Sequence, residues 1–336
     1  MVESTTVSVA LLILLLNING AMSCPSMCSC GSNSYVDCDF RSLTVIPSGI
    51  PAETVTLDLD HNSITSLPTE AISSLTRLKY LYLNNNAISV ISSGAFRGLT
   101  SLETLYLHYN NITSLPSDAF NGLSSLQYLY LHNNKISTLP SGIFSDLNSL
   151  TRLYLYNNDI TTLPSDAFND LSSLQYLYLY YNKISTLQSG VFSGLNSLRE
   201  LQLQNNEITA LPSGVFSGLN SLTHLYLHNN DITTLSSGTF NGLSSLQYLY
   251  LHNNKISTLP PGIFSGLNSL KTLQLQNNEI TAVAKLANLP QLTTLNLNYN
   301  CITTLQDGVF ERLTKLSSLT CKTPASKIYP LLHSAD

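Results

Sequence analysis

An asparagine that returns at a fixed step is the feature that most limits what this chain can fold into. The pattern L-x-x-L-x-L-x-x-N, followed by x-I-x-x-L-P, places it at Asn62, Asn86, Asn110, Asn134, Asn158, Asn182, Asn206, Asn230, Asn254, Asn278 and Asn300. Nine intervals are 24 residues and the last is 22. Units of that size cannot bury their apolar faces alone and must stack on their neighbours, so the repeats form one elongated array rather than separate globular domains. With no Trp, 18 Tyr, 43% hydrophobic and 10% charged residues and a net charge of -5, the chain is not a disordered polymer, a coiled coil or a basic nucleic-acid binder.

The pattern resembles that of leucine-rich repeats. This implies an α/β horseshoe solenoid, with a continuous parallel β-sheet on the concave face and an irregular or short-helical convex side. Residues 55–320 make eleven full repeats plus a partial one. Side chains alternate along a strand, so in Leu129-Tyr130-Leu131 the leucines point inward and Tyr130 outward. Each asparagine closes the strand and can satisfy the backbone where the chain turns, a structural role. Phe96, Phe120, Phe144, Phe168, Phe192, Phe216, Phe240 and Phe264 recur at the same step and read as a convex spine; Leu286 stands in for the next one, in the 22-residue unit. Residues 121–140 and 241–260 are identical, whereas the related segment 169–187 differs at Asp170, Tyr180 and Tyr181.

The ends carry their own signals. Val7 to Leu16 is an apolar run too short to span a bilayer, and Ala21 and Ser23 follow at signal-peptidase spacing, so residues 1–23 read as a signal peptide. No later run is apolar for long enough to span a membrane, and the tail 321–336 matches no lipid-anchor signal. A secreted, extracellular product is expected. Cys24, Cys28, Cys30 and Cys38 fall within a cap at 24–54, where an oxidising compartment favours two disulfides over zinc; spacing alone leaves three pairings open. Cys301 and Cys321 are unassigned.

Five non-leucine slots precede each ladder asparagine, as at Gln127, Tyr128, Tyr130, His132 and Asn133. These slots hold 16 of the 18 tyrosines, against about 3 for an even scatter. Tyr82, Tyr106, Tyr130, Tyr154 and Tyr178 occupy one slot in five consecutive repeats, and a strand spacing of about 4.8 Å makes them a strip. His108, Tyr109, Tyr128, His132, Arg152, Tyr156, Tyr176, Tyr180 and Tyr181 surround it. Strand propensity and copying supply tyrosine without function, but an exposed aromatic face usually marks a binding surface, and tyrosine among small polar residues is a paratope-like mixture. Asp58, Asp60, Glu103 and Glu200 cancel Lys79, Arg152, Arg199 and Lys271, which disfavours nucleic acid and other polyanions.

Catalysis and metal binding have less support. No carboxylate or thiolate completes the histidine pairs 108/132 and 228/252 at their slot, no G-x-S-x-G motif is present, and the candidate groups are copied from unit to unit. The expectation is a non-enzyme without cofactor or metal. Concave histidines titrating near pH 6.5 would make binding pH-sensitive. One glycosylation sequon begins at Asn111, beyond the concave strand.

The opening CPSMCSC, the eight-residue step to Cys38 and the segment SLTVIPSGIPAETVTLDLDHNSIT are similar to the N-terminal cap and first repeat of the variable lymphocyte receptors. The similarity covers roughly residues 24 to 320. It implies disulfides Cys24–Cys30 and Cys28–Cys38 and antigen binding on the concave face. That family's C-terminal cysteine cap is not matched: Cys301 follows Asn300 and Cys321 stands in a leucine slot. Three resolutions stay open, namely a shortened chain, a homodimer through the exposed end, or a Cys301–Cys321 bond. The expected function is secreted recognition in immunity, with a microbial surface polysaccharide, a lipopolysaccharide-type glycolipid or a protein antigen as partner. The alternative is a matrix or adhesion protein binding a self protein.

Overall fold

The computed structural model describes residues 24–322, apart from 33, 284–285, 287–288 and 306–307. The expected signal peptide and nearly all of the expected tail lie outside the described residues. A single 14-stranded sheet runs the length of the molecule. Its first strand, Ser29–Cys30, is antiparallel to Tyr35–Asp37, and every later pairing is parallel and follows chain order. Strands are three residues long, such as Tyr128–Tyr130 and Arg152–Tyr154, and pair in strict register, with Leu129 beside Leu153 beside Leu177. One repeat therefore advances the sheet by one strand, and each sequence slot becomes a column.

The inward leucine columns are fully buried, and Val36 takes the leucine's place in the cap strand. On the convex side Phe96 to Phe264 form a buried stack with ring centroids 5.9–6.3 Å apart. The spacing exceeds the strand spacing, as the outer arc of a curved array requires. Of the two expectations for that side, the irregular one holds: turns and three two-stranded sheets fill it, with no helix among the described residues.

Each ladder asparagine is almost completely satisfied. Asn158 donates to the carbonyls of Leu131, Leu155 and Tyr156 at 3.0, 3.0 and 3.4 Å and accepts from the Ile136 N–H at 3.0 Å. It ties its own corner to the preceding repeat. In the cap, Cys24 bonds Cys30 and Cys28 bonds Cys38, the pairing implied by the resemblance. Cys301 and Cys321 are free thiols. Cys321, following the strand that pairs with Thr294–Asn296, aligns with Leu297 and packs against the core, while Cys301 is exposed beyond the Asn300 corner; the two side chains face different surroundings.

Candidate functional site

Every residue of the expected site stands on one face, and the columns resolve into distinct arrangements. Tyr82, Tyr106, Tyr130 and Tyr154 stack at 4.6, 4.6 and 4.5 Å within 10° of parallel, and Tyr178 joins at 5.0 Å with a tilt of 31°. Two residues further on, His108, His132, Tyr156 and Tyr180 stack at 4.5, 4.3 and 4.4 Å. In the remaining strand column the Arg152 guanidinium lies between the rings of Tyr128 and Tyr176, 5.4 and 4.9 Å from their centroids. Strand spacing nearly equals aromatic stacking distance, so identical residues in one column cover one another's faces. The ring edges and hydroxyls are what remain outward.

The last slot before the asparagine is not a strand position. His61, Asn85, Tyr109, Asn133, Asn157, Tyr181, Asn205, Asn229, Asn253, Asn277 and Tyr299 all have φ between 48° and 56°. Asparagine tolerates this left-handed corner, whereas a bulky aromatic there is a rare and costly choice. The asparagines also bond to one another: Asn229 to Asn205, Asn253 to Asn229 and Asn277 to Asn253 at 2.7–2.9 Å, and Asn157 to Asn133. Tyr181 separates those two runs. Tyr109 and Tyr181 are 54% and 57% exposed, so neither the backbone nor the core asks for their rings.

Burial alters the histidines. The Nδ1 atoms of His108, His132, His228 and His252 are buried without a hydrogen-bond partner among the described residues. A bare acceptor costs less there than an orphaned N–H, which assigns the proton to Nε2. Desolvation pushes the pKa of His108 and His228 down to about 4 and that of His132 to about 3, and lowers that of His252. The titration expected near pH 6.5 is thereby displaced: these four rings are neutral through the physiological range. Desolvation likewise raises Tyr82, Tyr106, Tyr130 and Tyr178 in the strip, and pushes Tyr226, further along the same column, up to about 12, so these hydroxyls stay protonated donors.

Several residues of this face were not among the expected site. Tyr35 lies in the cap strand, pairs in register with Thr56 and donates its hydroxyl to Asp58 at 3.1 Å. Its strand, Tyr-Val-Asp, lacks the leucines that reveal the slot; alignment with Thr56-Leu57-Asp58 was the available signal. A second aromatic patch comprises His224 on Tyr248 at 4.5 Å, Tyr226 on Tyr250 at 4.8 Å and His228 on His252 at 4.4 Å. Between the patches the strand Glu200–Gln202 carries no ring. Gln204 donates to Gln202 at 3.1 Å, and Gln202 donates to Glu200. Beside it lies a groove of about 680 Å³ lined by Gln175, Tyr176, Arg199, Glu200, Thr223 and His224, among others. No group of three or more His, Cys, Asp or Glu suited to a metal occurs among the described residues. Among the described residues no helix is long and apolar enough to cross a membrane.

The chain matches the family described as Leucine rich repeat over residues 53–112, 100–160, 148–208 and 198–256, and the two-copy form of the same repeat over 244–288 and 268–308. It belongs to the leucine-rich-repeat family. Leucine-rich repeat-containing protein 3 of Homo sapiens is 41% identical over 99 residues, 29% of this chain and 38% of that protein. The Danio rerio protein of the same name is 40% identical over 88 residues, 25% and 33%. The matched segment thus spans well under half of either relative. Among solved structures, one of a complex of Latrophilin 3, Unc5D and FLRT2 (LRR) gives a TM-score of 0.61 at 30% identity, covering 77% of this chain and 85% of that one. An LRR protein of Leptospira interrogans gives 0.59 at 26%, covering 85% and 83%.

Proposed function

We propose that this chain is an extracellular recognition module that binds a protein partner on its tyrosine-lined concave face. The observation that carries the reading is the stacking of the strip. A sugar ring engages an aromatic side chain chiefly through its face, and here the faces of Tyr106 and Tyr130 are covered on both sides by neighbouring rings. What the strip offers is a row of edges and hydroxyl donors at strand spacing, suited to the carbonyl-rich surface of a folded protein. The microbial polysaccharide and glycolipid partners expected from the sequence are therefore the weaker candidates, and a protein antigen or self protein the stronger. The exposed tyrosines in left-handed corners add support, since backbone strain without a packing role points to function. The structural likeness to the FLRT2 repeats, seen in complex with other proteins, favours a protein partner. The two cap disulfides accord with a secreted product, and the exposed Asn111 with a glycan outside the concave strands.

Parallel arrays of extracellular proteins and of glycans test this. Wild type should bind protein spots, and Tyr106→Ala/Tyr130→Ala/Tyr154→Ala should lose them while Asp170→Lys, at an exposed turn beside Phe168 of the convex stack, keeps them. Binding confined to glycans would refute the reading.

A further inference from the structure

The column Tyr128, Arg152, Tyr176 shows what two rings on strands one apart can hold. Their separation is two strand spacings, about 9.6 Å. A guanidinium fits between them, with its carbon 5.4 and 4.9 Å from the two centroids. The next step of the same column repeats the walls. Tyr176 and His224 stand on either side of Glu200, aligned with it in register. Tyr176 has Arg152 on one face, which leaves the other toward Glu200. His224 is stacked on Tyr248 at 4.5 Å, and its Nδ1 is 2.9 Å from the Thr223 hydroxyl, so its other face is also directed at Glu200.

The middle position thus holds a carboxylate where the preceding one holds a cation. Glu103 is paired with Lys79 at 2.7 Å and Asp60 with His61 at 3.0 Å, whereas Glu200 makes no ion pair among the described residues, not even with the exposed Arg199 beside it. Gln202 donates its amide N–H to the Glu200 carboxylate, and Gln204 donates in turn to Gln202, so the carboxylate is held from the C-terminal end of its strand. The groove opens over Tyr176, Glu200 and His224.

We infer that the Tyr176–Glu200–His224 step is a guanidinium-binding slot, which receives an arginine side chain of the protein partner. The ring walls supply cation–π contact and the carboxylate supplies the counter-charge in planar, bidentate geometry. The inference rests on the protein-binding reading but is tested without the partner. N-acetyl-L-arginine amide and its uncharged isostere N-acetyl-L-citrulline amide are titrated into the full chain carrying carbon-13 in its Tyr and His rings.

The arginine probe should shift the Tyr176 and His224 signals saturably, with an affinity at least about tenfold above that of citrulline. Glu200→Gln should abolish the difference; Glu103→Gln should preserve it. Unmoved Tyr130 signals verify the fold of each variant. Equal response to the two probes, or a preference that survives Glu200→Gln, overturns the slot. An arginine preference with no protein captured on the arrays supports the slot and counts against the protein-binding reading alone. Protein capture without arginine preference does the reverse.

Discussion

Replacing Tyr181 by asparagine should make this protein more stable while weakening its binding. Tyr181 sits at φ 51°, in a conformation that disfavours an L-residue by roughly 1–2 kcal/mol and asparagine by less. Relief of that strain should return about 1 kcal/mol. Asparagine at 181 would also stand between Asn157 and Asn205, joining the two amide runs that now end there. Two exposed amide contacts add at most about 0.5 kcal/mol each. Against this, the edge contact between Tyr180 and Tyr181, with centroids 5.6 Å apart, is lost, at roughly 0.5 kcal/mol. The net is about 1 kcal/mol in favour of the variant, or about 2 °C in Tm for an array of this size. Thermal melting by circular dichroism and the urea midpoint both report it, the second because a repeat array can unfold in more than one step. An unchanged or lowered Tm would show that the corner is not strained and remove one reason for assigning Tyr181 a function.

Other outcomes follow from the same geometry. Asn158→Ala removes three donor contacts and leaves the buried Ile136 N–H without its acceptor; a loss of about 3 kcal/mol in urea unfolding is expected, and a loss below about 1 kcal/mol would contradict the ladder's role. His108, His132, His228 and His252 have folded pKa values below the ordinary 6.5, so the unfolded chain binds protons first. Stability is then complete above pH 6.5 and falls as pH drops toward 4, by roughly 1 kcal/mol for each of His108, His132 and His228 at pH 4.5 after discounting for water access. His132→Tyr, which copies the residue at Tyr156, should reduce that slope. Alkylation of the native protein should label Cys301 fast and Cys321 slowly, because burial raises the Cys321 thiol's pKa, and should spare the four cap cysteines; a Cys301–Cys321 peptide on non-reducing mapping would refute this.

The fold and the face were legible because a repeat converts position into geometry. Knowing that Leu129 points inward places Tyr130 outward, and the 24-residue step places Tyr154 beside it. Less legible was what neighbouring side chains do to one another. Tyr130 reads as an exposed ring until the strand spacing closes its faces, and His132 as an ordinary imidazole until its column buries it to 7% exposure. The left-handed corner was visible only as a preference for asparagine, which copying explains equally well; the backbone angle at Tyr109 and Tyr181 separates the two. Glu200 carried no motif at all. Its significance comes from the rings one strand away on either side, which no single repeat contains.

The central claim is that the strip makes contact through hydroxyls and ring edges. Its most direct test is the affinity of a captured extracellular protein for wild type and for Tyr106→Phe/Tyr130→Phe/Tyr154→Phe, a change that keeps the stack and removes only the donors. Surface plasmon resonance should show a loss of at least about tenfold, one or two hydrogen bonds' worth. Unchanged affinity in the phenylalanine variant would contradict the account.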